Sequence, residues 1–247
     1  AWRVEIPGLP ELTDVGGRKG MTKTESEFMI QTYDGNGNPD DLTTSANGYL
    51  RRHEFVELVK YAHERGIEII PEIETPGHAR AAIVSMKSRY KKYENSNPTE
   101  AQRYMVWDKD DDSKYASVQG FNDNVLNPAQ EGTYRFLQKV VDELALMYDD
   151  AGVPLKTVHL GGDEVADGSW DNSPAVKRLM TENNFNSIHQ VSTYYFDRIS
   201  SYMFSKGIKA GGWQEIALGH TTDYDNKLIP RIGTVTVWRA IANMDSL

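Results

Sequence analysis

Segments with a helical repeat alternate along this chain with short apolar runs, and each run finishes in a polar motif. Residues 52–65, RHEFVELVKYAHER, put Phe55, Leu58, Val59 and Ala62 on one helical face, with Gly66 just beyond as a C-terminal cap. Ile67 to Ile73 (IEIIPEI) then reads as a strand. Asn127-Pro128 opens a helix whose stripe is Tyr134, Leu137, Val141, Leu144 and Tyr148. Thr157 to Leu160 (TVHL) reads as the next strand. Ser173-Pro174 starts a short helix, and Ser187 with Gln190 resembles a capping box for a helix carrying Ile188, Val191, Tyr195, Ile199 and Tyr202. Gly207 ends that helix, 208–213 (IKAGGW) is the third strand and 234–238 (TVTVW) the fourth. Such alternation selects an α/β fold: a parallel sheet with crossover helices. A closed barrel needs eight strands, usually in about 250 residues. Only four convincing strands appear in these 247 residues, so a complete barrel is not expected.

The strand ends carry the chemistry. ETPGH supplies Glu74 and His78, HLGGDEV supplies Asp163 and Glu164, Trp213-Gln214-Glu215 follows the third strand, and Trp238-Arg239 ends the fourth. In a parallel sheet these ends share one rim, so residues distant in sequence can converge. Two tryptophans, a histidine and an acid pair suit a sugar, whose CH faces stack on indoles and whose hydroxyls seek charged acceptors.

Adjacent carboxylates repel, and their spacing speaks to mechanism. A glycosidase with a carboxylate nucleophile holds its two carboxyls about 5–5.5 Å apart on opposite sides of the bond, and an inverting one holds them further apart. Neighbours at one strand end are poorly placed for either. They suit a substrate that brings its own nucleophile, such as a 2-acetamido group. The protein then supplies one acid for the leaving oxygen and one carboxylate for the amide N–H. A neighbouring negative charge raises the pKa of such an acid.

Composition removes other classes. Hydrophobic residues make up 39% and charged residues 26%, as in ordinary globular chains. No apolar run approaches the roughly 18 residues of a membrane span. A net charge of −9, without a basic stripe, argues against nucleic acid; the basic stretch Lys87 to Lys92 reads as a solvated helix face. The absence of cysteine removes disulfides and thiolate metal sites. Asp108, Asp110 and Asp112 mimic the start of a calcium loop, but Ser113 and Gln119 stand where its glycine and glutamate belong, so a solvated loop is expected. His159, inside its strand, reads as a core histidine. Trp107 and Trp170 sit in loops that can edge the site and are not assigned to it. The start, Ala1-Trp2-Arg3, has neither Met nor a signal-peptide pattern, and the motifs favour an excerpt of a longer protein.

HLGGDEV, PEIETPGHA (Pro71 to Ala79), GGWQE (Gly211 to Glu215) and VWR (Val237 to Arg239), in that family's order, closely resemble the family 20 glycoside hydrolases, the β-N-acetylhexosaminidases. The opening WRVEIPGLPELTDVGG is similar to the family's segment after its second barrel strand. The resemblance implies a (β/α)8, TIM-barrel-type catalytic domain, here an incomplete barrel covering about strands three to six. It also implies one partial domain over residues 1–247 with a polar insertion at about 91–124. It implies a retaining exo-enzyme that removes terminal GlcNAc or GalNAc through the substrate's 2-acetamido group. By position, Glu164 is the general acid/base and Asp163 orients the acetamido group. His78, Trp213 and Trp238 are the substrate-binding candidates, although His78 suits a place in the network behind Glu164 equally well. Glu215 can bind substrate or orient its neighbours, and Arg3 lies near the site edge. No metal or organic cofactor is implied. The partner is an N-acetylhexosamine-terminated glycan or chitooligosaccharide, and the parent is expected to be an exported bacterial protein.

This chain departs from the family at several points. The family's first-strand arginine, the second-strand aspartate that partners the histidine, and the last-strand tyrosine and tryptophan have no counterpart. A non-catalytic barrel fragment, self-associating through open sheet edges, is therefore the alternative. Reading GGDEV as a nucleotide cyclase signature lacks the further nucleotide- and metal-binding acids it needs.

Overall fold

The computed structural model describes residues 1–31, 37–44, 46–218 and 226–239. The chain divides into two compact units, residues 1–69 with 80–106 and 142–154, and residues 70–79 with 107–141 and 155–247.

The first unit begins with a short helix, α1 (Glu11–Asp14), and two parallel two-residue strands, β1 (Lys19–Gly20) and β2 (Met29–Ile30). Helix α2 (Arg52–His63) follows. It buries Phe55, Val59 and Ala62, whereas Leu58, expected on the same face, is exposed. Helix α3 (Arg80–Tyr93) packs on α1, and α4 (Pro98–Arg103) packs on α3. Asn97 Oδ1 starts α4 by accepting from Glu100 N at 3.1 Å, with proline in the first turn. The Lys87–Lys92 stretch is not wholly solvated. Arg89 within it is buried, bonding Glu11 at 2.9 Å and Glu100 at 2.5 Å. A guanidinium can be buried there because two carboxylates meet its planar fork.

The second unit is built on a parallel sheet of β3 (Glu72–Thr75), β4 (Thr157–Gly161), β5 (Lys209–Trp213) and β6 (Ile232–Thr236), in that order. All four expected strands are present, with two displaced. β3 starts at Glu72 rather than Ile67, because the ladder to β4 begins where Glu72 pairs with His159. β6 ends at Thr236, paired with Trp213, so Trp238 lies past the strand. Helix α5 (Glu131–Ala151) begins in this unit, three residues after the expected proline. Asn127 Oδ1 accepts from Ala129 N at 2.9 Å and its carbonyl from Thr133 at 2.7 Å, which holds 128–130 in a turn. Helices α6 (Pro174–Asn183) and α7 (Ile188–Ser205) start at Ser173 and Ser187, whose side chains accept from Val176 N and Gln190 N.

Side chains alternate across the sheet. Val158, Leu160 and Ala210 are buried on one face, while Val191, Tyr195, Ile199 and Met203 are the buried stripe of α7, which packs on β5. Glu72, Glu74, His159, Gly161, Gly211 and Trp213 occupy the other face. Sequential parallel strands with helices on one side are a segment of a (β/α)8 barrel, and the second face is its interior. Trp170 is a core residue: it packs with Val125, Val176 and Val191 and donates to Leu126 O at 3.1 Å. Asp108 Oδ2 accepts from Ser173 Oγ at 2.7 Å and from Ala175 N at 2.9 Å, so the first acid of the calcium-like run serves the start of α6. Among the described residues no helix is long and apolar enough to cross a membrane.

Candidate active site

The site is assembled from the ends of β3, β4 and β5. After Leu160 the backbone turns left-handed at Gly161 (φ 70°), Gly162 (φ 100°) and Glu164 (φ 47°). Neighbouring side chains also crowd both positions. A Cβ at Gly161 would lie 2.2 Å from Glu74 Oε2, and one at Gly162 would lie 2.3 Å from Ile216 Cγ2. The glycine pair thus lets β4 end tightly against its neighbours and turn the next two acids toward the rim. Side chains rarely adopt a positive φ, yet Glu164 and His78 (φ 50°) both do. Strain of that kind costs of order 1–3 kcal/mol and persists where surrounding structure enforces it.

The β3 end meets the β4 end through Gly77, where a Cβ would stand 3.0 Å from Asp163 O. Backbone bonds from Ala79 N to Asn124 O (2.9 Å) and from Leu126 N to Pro76 O (2.8 Å) hold that loop. His78 Nε2 then lies 3.5 Å from Asp163 Oδ2 and 3.4 Å from Glu164 Oε2. All three side chains are about four-fifths buried, and one donor atom from each falls within 4.8 Å of the others. Such spacing could grip a cation, but acid clusters form commonly without one.

Burial, opposed by His78, raises the Asp163 carboxyl above the ordinary aspartate range. Glu74 is pushed up to about 8 by burial and then by the charges of Asp163 and Glu72, with the Trp213 indole acting the other way. Asp163 Oδ1, Tyr195 Oη and Glu215 Oε1 are further buried polar atoms around the same strand ends.

The two tryptophans differ. Trp213 sits at the β5 end with its ring edge-on to His159, centroids 5.2 Å apart. His159 itself is buried, with Nδ1 3.2 Å from Glu72 Oε1, as a core histidine should be. Trp238 keeps an exposed indole, fixed at three points on the β5 end. Its Nε1 donates to Glu215 Oε2 at 3.1 Å, and its backbone N and that of Arg239 donate to buried Gln214 Oε1 at 3.2 and 3.0 Å. Glu215 therefore orients Trp238. Gln119 was not expected at the site; its Nε2 donates to Glu164 Oε2 at 3.4 Å. A cleft of about 280 Å³ opens beside Glu164, lined also by Pro76, Val165, Tyr195 and Ile216. Arg3 does structural work in the other unit, donating to the carbonyls of Gly48 (2.6 Å) and Ala46 (3.2 Å).

Residues 1–246 match the family described as glycosyl hydrolase family 20, catalytic domain. The chain is 38% identical over 219 residues to a β-hexosaminidase B of Pseudoalteromonas piscicida, covering 87% of this chain and 27% of that protein. It is 33% identical over 245 residues to an N,N'-diacetylchitobiase of Vibrio harveyi, again covering 87% of this chain and 27% of the relative. The crystal structure of a GH20 exo-β-N-acetylglucosaminidase from Vibrio harveyi in complex with N-acetylglucosamine superposes with a TM-score of 0.78 at 29% identity. That superposition covers 100% of this chain and 33% of that one. The chain thus spans about a quarter to a third of the length of these relatives. A nucleotide cyclase reading of GGDEV does not survive the match.

Proposed function

The chain belongs to glycosyl hydrolase family 20, and from that premise we propose that it is part of the catalytic barrel of a retaining exo-β-N-acetylhexosaminidase, acting on glycans or chitooligosaccharides that end in GlcNAc or GalNAc. The supporting observation is the convergence of Asp163 and Glu164 on one imidazole, at 3.5 and 3.4 Å. Two carboxylates gathered on one side do not flank a glycosidic bond as acid and nucleophile must. In the proposed reaction the acetamido carbonyl oxygen attacks the anomeric carbon while Glu164 protonates the leaving oxygen. Asp163 accepts the acetamido N–H and balances the oxazolinium charge. Glu164 then takes a proton from the water that opens the ring, which restores the anomeric configuration. His78 holds the two carboxyls in register, and Trp213 and Trp238 wall the sugar and its acetamido group.

The test is release of 4-nitrophenol from its N-acetyl-β-glucosaminide by the purified chain and by Glu164→Gln. The expected loss in kcat is about 10²–10⁴-fold, the range for a general acid. Undiminished turnover in the variant removes Glu164 from the role.

The second reading, a barrel fragment that folds or assembles without turnover, has its own support. β3 and β6 are the outer strands of the described sheet, and outer strands offer unpaired ladder groups to another chain. A monodisperse monomer with full activity excludes it.

A further inference from the structure

Gln119 reaches the acid at the centre of the proposed reaction, yet that reaction gives it no task. It stands on a turn closed from both sides. Gly120 N donates to Ser117 O at 2.8 Å, Ser117 N to Phe121 O at 2.7 Å and Phe121 N to Ser117 Oγ at 3.1 Å. Gly120, at φ 80°, supplies the left-handed residue this reversal needs. The segment bearing the turn is tied down on either side. Asn172 N donates to Ser113 Oγ at 2.8 Å, and Asn124 N to Tyr115 Oη at 3.0 Å. Asn124 O in turn accepts from Ala79 N at 2.9 Å, one residue past His78. One loop thus places Gln119 and His78 together, and both arrive at the same atom. Gln119 Nε2 and His78 Nε2 each lie 3.4 Å from Glu164 Oε2. Among the described residues, both partners of this carboxyl fall on Oε2 and leave Oε1 without one. Contacts of this length are common in an unliganded site and tighten when substrate arrives.

We infer that Gln119 is a positioning residue for Glu164: with His78 it fixes Oε2 as the accepting oxygen, so that the proton Glu164 gives and takes back travels on Oε1. This rests on the reading of Glu164 as the general acid/base. A carboxylic acid carries a single O–H, which can sit on either oxygen. The oxygen that accepts from an amide N–H is the poorer seat for it, because a hydroxyl oxygen accepts more weakly than a carbonyl oxygen. His78 alone cannot make the choice, since its Nε2 also faces Asp163 Oδ2 at 3.5 Å. The neutrality of the amide matters as well. A lysine or arginine in its place would favour the ionised form, and Glu164 must be a neutral acid when the leaving oxygen departs.

The experiment compares kcat/KM of the purified chain, Gln119→Met and Glu164→Gln on the 4-nitrophenyl and phenyl N-acetyl-β-glucosaminides. Methionine fills similar space without a donor. Phenol is the poorer leaving group and depends more on proton delivery. Gln119→Met should lose about 3–10-fold on the phenyl glycoside, the worth of one ordinary hydrogen bond, and clearly less on the 4-nitrophenyl glycoside. Equal loss on both, or no loss, overturns the inference, because a contact to the sugar or a packing role weakens both alike. The contact is also read without turnover, by ¹⁵N NMR of the Gln119 side-chain amide, identified by its absence in Gln119→Met. Its protons should move with pH in the chain and lose most of that movement in Glu164→Gln. Protons that ignore pH, or that move equally in Glu164→Gln, overturn it. An amide that follows Glu164 in a chain that cleaves neither glycoside leaves the placement standing and removes the hydrolase reading of this chain. Turnover abolished by Glu164→Gln, with an amide indifferent to that change, keeps the hydrolase reading and overturns the placement.

Discussion

Two buried charge clusters in this molecule have opposite designs. In one, the Arg89 guanidinium is met by Glu11 and Glu100 at 2.9 and 2.5 Å, and Lys92 reaches Glu11 at 3.4 Å. Cations and anions balance, and the Glu100 carboxyl is held below the ordinary range, first by its hydrogen bond to Arg89. In the other, Asp163 and Glu164 share His78, Gln119 reaches Glu164, Glu74 adds a third partly buried acid, and two backbone positions are strained. The first cluster matches its cations with anions, leaving Arg89 Nε without a hydrogen bond, and holds helices together. The second is left open, and charge without enough partners is what a site for a polar ligand requires.

The largest expected effect that would break this contrast is at Arg89. Replacing it with Met leaves buried Glu11 with only the exposed Lys92 ammonium to balance it, which should cost about 3–5 kcal/mol of unfolding free energy in urea. A loss below about 1 kcal/mol would mean that the cluster is as loosely satisfied as the acid site. Gly161→Ala comes next. It forces a side chain onto a left-handed backbone and into Glu74, for a cost of about 1–3 kcal/mol, with turnover falling more than stability. Equal loss in both would make Gly161 a packing residue only.

Proton linkage sharpens the same comparison. Glu100, lowered by Arg89, contributes stability above the ordinary glutamate range that is lost as pH falls through its depressed value. Asp163 and Glu74 are raised; what they contribute is complete below the ordinary carboxylate range and lost as pH rises through their elevated values. Glu100→Gln should therefore flatten the acid side of a melting-temperature profile and leave the alkaline side unchanged. An unchanged acid side would detach Glu100 from the cluster. The smallest effect belongs to a site in neither cluster: Ser187→Ala removes the α7 cap and should cost about 1 kcal/mol. Its activity per folded molecule should equal that of the parent chain, and a drop in kcat would tie α7 to the chemistry.

Legibility from sequence followed the range of the interactions. The caps Ser173 and Ser187 were readable because each acts on a backbone N–H three residues away. β3 was misplaced because apolar character marks Ile67 to Ile73 without telling which residues find a ladder partner; Ile67 and Ile70 are exposed. Arg89 looked solvated because its partners lie 78 and 11 positions away. Gln119 carried no signal, since it reaches Glu164 only through the path of the loop before it. Glu215 was ambiguous until its carboxylate was seen holding Trp238.

By itself the sequence determined that helices and short strands alternate, that the chemistry collects at strand ends, and that two glycines precede an acid pair. Those are properties of local periodicity and steric permission, carried by a few consecutive residues. Tertiary structure alone decided that His78 bridges both acids and that the missing Gly161 side chain admits the Glu74 carboxyl. It likewise left the Asp163 and Glu74 carboxyls partly buried, each raised above its ordinary range first by that burial. Ångström-scale distances across strands arise from packing and register, which no local stretch of the chain encodes.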